Sequence, residues 1–177
     1  KLDAGQDKEF KKFMASKLSK ETGIEYREKD IFVFDENQNV YEPLEYEDGD
    51  LHKYFFCDML FRFYRGKELD SVEFVHGFAD FRFSNVEKIS NLRHIQGTAL
   101  FNDTVIKDLG DLESIGGDAY FGRSLIKNLG NLKTIGGYAD FSYTKNLLSL
   151  NNLESVEGEL NLVGSQVSDL GKLERVG

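Results

Sequence analysis

The chain has 177 residues, 22 basic and 31 acidic, for a formal charge of −9, with one Pro, one Cys and no Trp. That length buries a real core in one domain, or one domain and a small cap. The acidic balance argues against a nonspecific binder of nucleic acid or anionic membranes, the single Cys57 excludes an internal disulfide framework, and no apolar run approaches the ~20 residues that span a bilayer. In chain order, Phe10, Phe13, Met14 and Leu18 mark one helical face before Gly23, predicting a helix over about residues 6–22. Ile31 to Phe34, the turn residues Asp35 to Asn39, and Val40-Tyr41 read as a hairpin. A short helix over 50–56 would lead into the repeating part of the chain. Residues 1–56 carry 9 basic and 14 acidic side chains, against 13 and 17 in residues 57–177, so the acidity is spread along the chain. The economical role for residues 1–56 is a small α+β cap on the rest.

From residue 57 the chain repeats. Gly77, Gly97, Gly117, Gly137 and Gly158 open units of 20 residues, one of them 21, and a degenerate copy starts at Cys57. Residues 57–177 number 121, which is six coils of 20 and one insertion. In the unit from Gly117 the small or apolar positions are Ala119, Phe121, Ser124, Ile126, Leu129, Leu132 and Ile135. Ala119 and Phe121 alternate as a short strand does, and the later threefold spacing turns one side chain inward at each corner. One coil cannot bury these positions, but stacked coils bury them as columns. The predicted fold is therefore predominantly β, a parallel β-solenoid. The opening glycines serve either a left-handed corner or a close approach between coils.

The unit A-x-F-x-x-S-x-I-x-x-L resembles the leucine-rich repeat, with Ala and Phe at the strand leucines. Ser84, Thr104, Ser124, Thr144 and Ser165 stand where that family carries a ladder Asn. A hydroxyl there would bond the backbone of a neighbouring coil. The resemblance spans about two thirds of the chain and is to short, proline-poor arrays of bacteria and their phages. It implies a protein-binding module whose outward strand face meets the partner.

On that face, coils stack about 4.8 Å apart. This sets Arg62 beside Arg82, Phe63 beside Phe83, and Arg123 beside Tyr143 at cation–π range. Two patches stand out: Arg62, Phe63, Phe78, Arg82 and Phe83 toward the cap, and Tyr120, Arg123, Tyr138 and Tyr143 toward the end. Exposed Tyr, Phe and Arg are the residues that anchor interfaces. The partner expected is another protein, one with a basic surface suiting the acidity, and the chain would act as an inhibitor or effector by covering it. The competing readings are a carbohydrate-binding or carbohydrate-cleaving solenoid, with the tyrosines stacking on sugar rings, and a self-assembling repeat. In the last, the final coil (Leu170, Leu173, Val176) meets a second copy to make a homodimer, because the chain stops at the close of a repeat.

Catalysis has little support. Asp80 and Asp140 fall three coils apart, too far to flank one bond, and Asp118 with Asp140 is the best acid pair. No His has a metal-ligand partner at the right spacing, and Cys57 lacks an activating base, so neither an enzyme nor a cofactor or metal site is predicted. With one Cys and no visible signal peptide, a cytoplasmic location is favoured.

Overall fold

The structure, a computed structural model, describes residues 66–70 and 72–177 continuously, together with residues 8, 9, 12, 13, 15, 16, 20, 31, 32, 40, 41, 54, 55 and 58–61. Short parallel strands, numbered in chain order, stack in register on three faces of a β-solenoid. The first face holds eight strands: β1 (Ile31–Phe32), β3 (Tyr54–Phe55), β6 (Phe74–Val75), β9 (His94–Ile95), β11 (Ser114–Ile115), β13 (Thr134–Ile135), β15 (Ser155–Val156) and β17 (Arg175–Val176). The second holds β2 (Val40–Tyr41), β4 (Asp58–Leu60), β7 (Ala79–Asp80), β10 (Ala99–Leu100), β12 (Ala119–Tyr120), β14 (Ala139–Asp140) and β16 (Leu160–Asn161). The third begins with β5 (Glu68–Leu69) and β8 (Lys88–Ile89) and continues as single bridges through Asp108 and Asn128, and between Ser149 and Asp169.

The five units that open at Gly77, Gly97, Gly117, Gly137 and Gly158 are five turns of this solenoid. Register follows the repeat: Ala99 pairs Ala79 and Ala119, and Ala139 pairs Leu160 across the 21-residue unit. Of the sixth unit expected from Cys57, residues 57, 62–65 and 71 lie outside the described residues, and its strands β4, β5 and β6 pair with β7, β8 and β9. The two strands expected to form a hairpin do not pair with each other. β1 lies parallel to β3 and β2 parallel to β4, so each joins a different face of the stack. A parallel edge already waiting on each face offers both segments a partner without a reversal of the chain. Of the expected helix over 6–22, residues 8, 9, 12, 13, 15, 16 and 20 are helical and the rest lie outside the described residues. Within the helix expected over 50–56, Tyr54–Phe55 instead form strand β3 between β1 and β6, and the other residues lie outside the described ones.

Stacking turns each inward position into a column. Phe61, Phe81, Phe101, Phe121 and Phe141 form one, each at most 1% exposed, with ring centroids 4.4, 4.7, 4.9 and 4.9 Å apart and planes within 14° of parallel. Leu92, Leu112, Leu132 and Leu153 form another, and the remaining inward aliphatics fill the same core. In the final unit Leu160 and Leu162 replace the Ala and Phe and are partly buried against it. The opening glycines answer to coil spacing and not to a left-handed φ: a Cβ on Gly97 would stand 2.6 Å from the backbone of Gly77.

The hydroxyl column departs from the family-like expectation. Ser84 Oγ donates to the Phe81 carbonyl at 2.7 Å and Thr144 Oγ1 to the Phe141 carbonyl at 2.7 Å, three residues back in the same coil. These side chains therefore staple a turn and do not tie coil to coil. Ser124 Oγ is buried with no hydrogen-bond partner. A hydroxyl has one proton to place, and at Ser84 and Thr144 it shares the carbonyl of its own turn with the backbone N–H that closes that turn.

Candidate binding face

Three columns of outward side chains cover the second face and the corner after it. The strand residues are Asp80, Leu100, Tyr120, Asp140 and Asn161; two positions on come Arg82, Asn102, Gly122, Ser142 and Val163; then Phe83, Asp103, Arg123, Tyr143 and Gly164. The last column sits at a tight turn closed by hydrogen bonds such as Ser124 N to Phe121 O, 3.0 Å, and Ser165 N to Leu162 O, 3.0 Å. Its residues are left-handed, with φ of 65° at Phe83, 57° at Asp103, 58° at Arg123, 56° at Tyr143 and 66° at Gly164. Non-glycine residues carry a cost of about 1–2 kcal/mol in that region. The turn throws their side chains into solvent: Phe83 is 80% exposed and Tyr143 50%.

Ion pairs organise the face. Arg82 donates from Nε and Nη2 to the two oxygens of Asp80, at 2.9 and 2.8 Å, and its backbone N–H adds a bond of 3.0 Å to Oδ1. Asp80, an outward position by alternation, is sealed beneath this clasp at 2% exposure. Its hydrogen bond is the main reason the Arg82 guanidinium is held protonated more firmly than usual. Arg123 reaches the other way along its column, to both oxygens of Asp103 at 2.7 Å each, and holds that carboxyl below its usual range.

The cation–π pair expected between Arg123 and Tyr143 is thus replaced by a bidentate salt bridge, the stronger partner for a guanidinium. Lys145 Nζ stands 5.8 Å from the Tyr143 ring centroid, and the ring lies over Gly164, where a Cβ would be 2.7 Å from two ring carbons. Tyr120 packs against Tyr138 with centroids 5.8 Å apart. Its hydroxyl donates to Asp118 Oδ2 at 3.3 Å, while Asp118 Oδ1 accepts the Tyr138 N–H at 2.8 Å. Burial first, and Asp118 second, push the Tyr120 hydroxyl above its usual pKa. Asp140 Oδ1 accepts the Ser142 N–H at 2.9 Å and Asn161 Nδ2 at 3.1 Å.

Arg82, Tyr120 and Arg123 come together around one notch of about 280 Å³, completed by Leu100, Asn102, Gly122 and Asp140. The two expected patches therefore meet. Phe83 and Tyr143 flank the notch along the corner, and half-buried Phe78 and Tyr138 precede the strands. Arg62 and Phe63 lie outside the described residues. At the far end Leu170 and Val176 are 51% and 45% exposed, and Leu173 is partly buried against the core. Gly122, Leu100 and Asn102 stand at outward positions of the expected binding face but outside the two patches read from the sequence. The signal for Gly122 was a glycine in a column that elsewhere reads Arg, Asn, Ser and Val.

A larger polar trough, about 600 Å³, runs along the third-face corner, floored by Gly110, Gly130 and Gly171. Its Asp108, Asn128 and Asp169 side chains are spent on the N–H groups of those glycines at 2.9, 3.0 and 2.9 Å. Among the described residues no group of His, Cys, Asp and Glu is placed to hold a metal ion. Compared with known proteins, the chain matches no family model, no curated protein and no solved structure.

Proposed function

We propose that the chain is a noncatalytic protein-binding module that meets its partner with the second face and the left-handed corner beside it. One observation carries this reading. Phe83, Arg123 and Tyr143 occupy left-handed positions that Gly164 fills in the final unit, and they are exposed. Phe83 bears the local cost of that conformation at 80% exposure, and Arg123 and Tyr143 bear it with surface partners in Asp103 and Lys145. Strain held at exposed aromatic and arginine side chains is characteristic of working surfaces. A rigid sheet presents them with little ordering cost on binding. Covering a partner's surface in this way is also how such a module would act as an inhibitor or effector.

The test is photo-crosslinking in an extract of the source organism, with p-benzoylphenylalanine at Tyr143 or, as a control, at Thr134 on the first face. A discrete protein adduct from position 143 alone is expected. Once that protein is identified and purified, Phe83→Gly with Tyr143→Gly should weaken binding about thirtyfold, equivalent to ~2 kcal/mol. Equal adducts from both positions, or none, defeat the reading. Binding on a glycan array would favour a sugar ligand instead.

A further inference from the structure

We propose that the notch over Gly122 receives the cationic head of an arginine or lysine side chain from the partner protein; this rests on the protein-binding function proposed for the face. The first argument is the glycine. Gly122 is buried and its φ lies outside the left-handed region. A Cβ there would meet no close backbone, only the ends of two side chains, Asp140 Oδ2 at 2.9 Å and Ser142 Oγ at 3.1 Å. The chain therefore does not need glycine at 122 to fold. What glycine provides is space, where the coils on either side carry Asn102 and Ser142.

The second argument is charge. Arg82 and Arg123 line the notch, but each is clasped through two hydrogen bonds by its own carboxylate, Asp80 or Asp103. Asp140 makes no ion pair among the described residues. Its Oδ1 is occupied twice, while Oδ2 stands over Gly122. The two clasping carboxylates offset the two guanidiniums, and Asp140, the one carboxylate in the lining, carries the negative charge that remains. The third argument is the wall. The Tyr120 ring lines the notch with Leu100, a π-face and an aliphatic side chain of the kind that accept an ammonium or guanidinium and its alkyl stem.

Two substitutions isolate the claim without dismantling the coil. Asp140→Asn removes the charge and keeps the turn, because Asn161 already accepts the Val163 N–H at the equivalent place, 3.0 Å. Gly122→Ala fills the space and requires only side-chain ends to shift. ¹H–¹⁵N spectra of the whole chain would be titrated with Nα-acetyl-arginine amide and Nα-acetyl-lysine amide, with the uncharged citrulline analogue and inorganic phosphate as controls. Saturable shifts at Gly122, Ser142 and Tyr120 are expected with a cationic probe, about tenfold or more weaker in Asp140→Asn, as when one partner of a charged hydrogen bond is removed, and absent in Gly122→Ala. No shifts, shifts unchanged in Asp140→Asn, or shifts with phosphate in place of the cations would overturn the proposal. None of those results touches the crosslinking from Tyr143, so the notch and the face fail separately.

Discussion

Two corners of the solenoid turn through the left-handed region, one in all five units and the other in the last four, and they are filled by largely different kinds of residue. At the corner after the third face stand Gly110, Gly130, Asn151 and Gly171, with φ between 51° and 60°. At the corner after the second face stand Phe83, Asp103, Arg123, Tyr143 and Gly164, with nearly the same φ. The backbone demand is shared, so the difference lies in what surrounds the Cβ. On Gly110 a Cβ would fall 1.9 Å from the Ile89 carbonyl oxygen, and on Gly130 2.2 Å from that of Gly110. Where glycine stands at the first corner the coil before it leaves no room for a Cβ, and Asn151 is the exception. The second is open, and there the residue is chosen for what its side chain does outside. A strained conformation is informative about function only where a less strained residue would also have fitted.

The comparison can be broken at several points. The deepest lies just inside the open corner: Phe121→Ala opens the ring column and should lower stability by about 4 kcal/mol in denaturant unfolding. A loss under about 1 kcal/mol would mean the column relaxes around the gap. At the closed corner, Gly130→Ala meets both the left-handed φ and a backbone oxygen, and a loss of about 3 kcal/mol or more is expected by the same assay. The open corner should respond in the other direction. Phe83→Gly releases about 1–2 kcal/mol of left-handed strain against about 0.5–1 of added chain entropy, leaving stability unchanged or raised by up to about 1.5 kcal/mol. A clear loss there would turn Phe83 into a structural residue and remove the argument for a binding corner.

The turn staples sharpen the contrast within one column. Ser84→Ala should lower stability by about 1 kcal/mol, whereas Ser124→Ala removes a buried hydroxyl without a partner and should leave stability equal or higher. Calorimetry on the pair decides this. The smallest effect concerns the Asp103–Arg123 clasp. Its carboxyl is held below the ordinary aspartate value, so the contribution is present above about pH 4 and lost as pH falls through the folded value. The Tm difference between the wild type and Asp103→Asn should shrink on acidification. A gap that widens instead would contradict the assignment.

The solenoid was legible because its evidence is periodic: columns such as Phe81, Phe101, Phe121 and Phe141 declare themselves by recurrence at 20 residues, and the parallel register follows from stacking. The placement of Arg82, Phe83, Tyr120, Arg123 and Tyr143 on or beside one face was legible for the same reason. Partner choice within the face was not. Arg123 had Asp103 on one side and Tyr143 on the other at equal spacing, and only side-chain geometry selects the carboxylate. The pairing of Asp80 with Arg82 two residues on was equally hidden, because both point outward and neither spacing nor alternation shows that one covers the other. The hydroxyl column was misjudged because recurrence reveals that a position matters and not which acceptor it meets. Ile31–Phe32 and Val40–Tyr41 looked like a hairpin from local signals, while the edges they join are set by coils later in the chain.

The paired glycines Gly116-Gly117 and Gly136-Gly137 give this array identical seams, one unit apart. Excising residues 117–136 would rejoin Gly116 to Gly137 and recreate a junction the chain already uses twice. The shortened protein would lose one rung, with its notch and Arg123, and bring Tyr143 beside Asp103, leaving the inward columns in step. The surface can thus be rewritten a rung at a time, by deletion or duplication of whole units, while the interior goes on reading the same line.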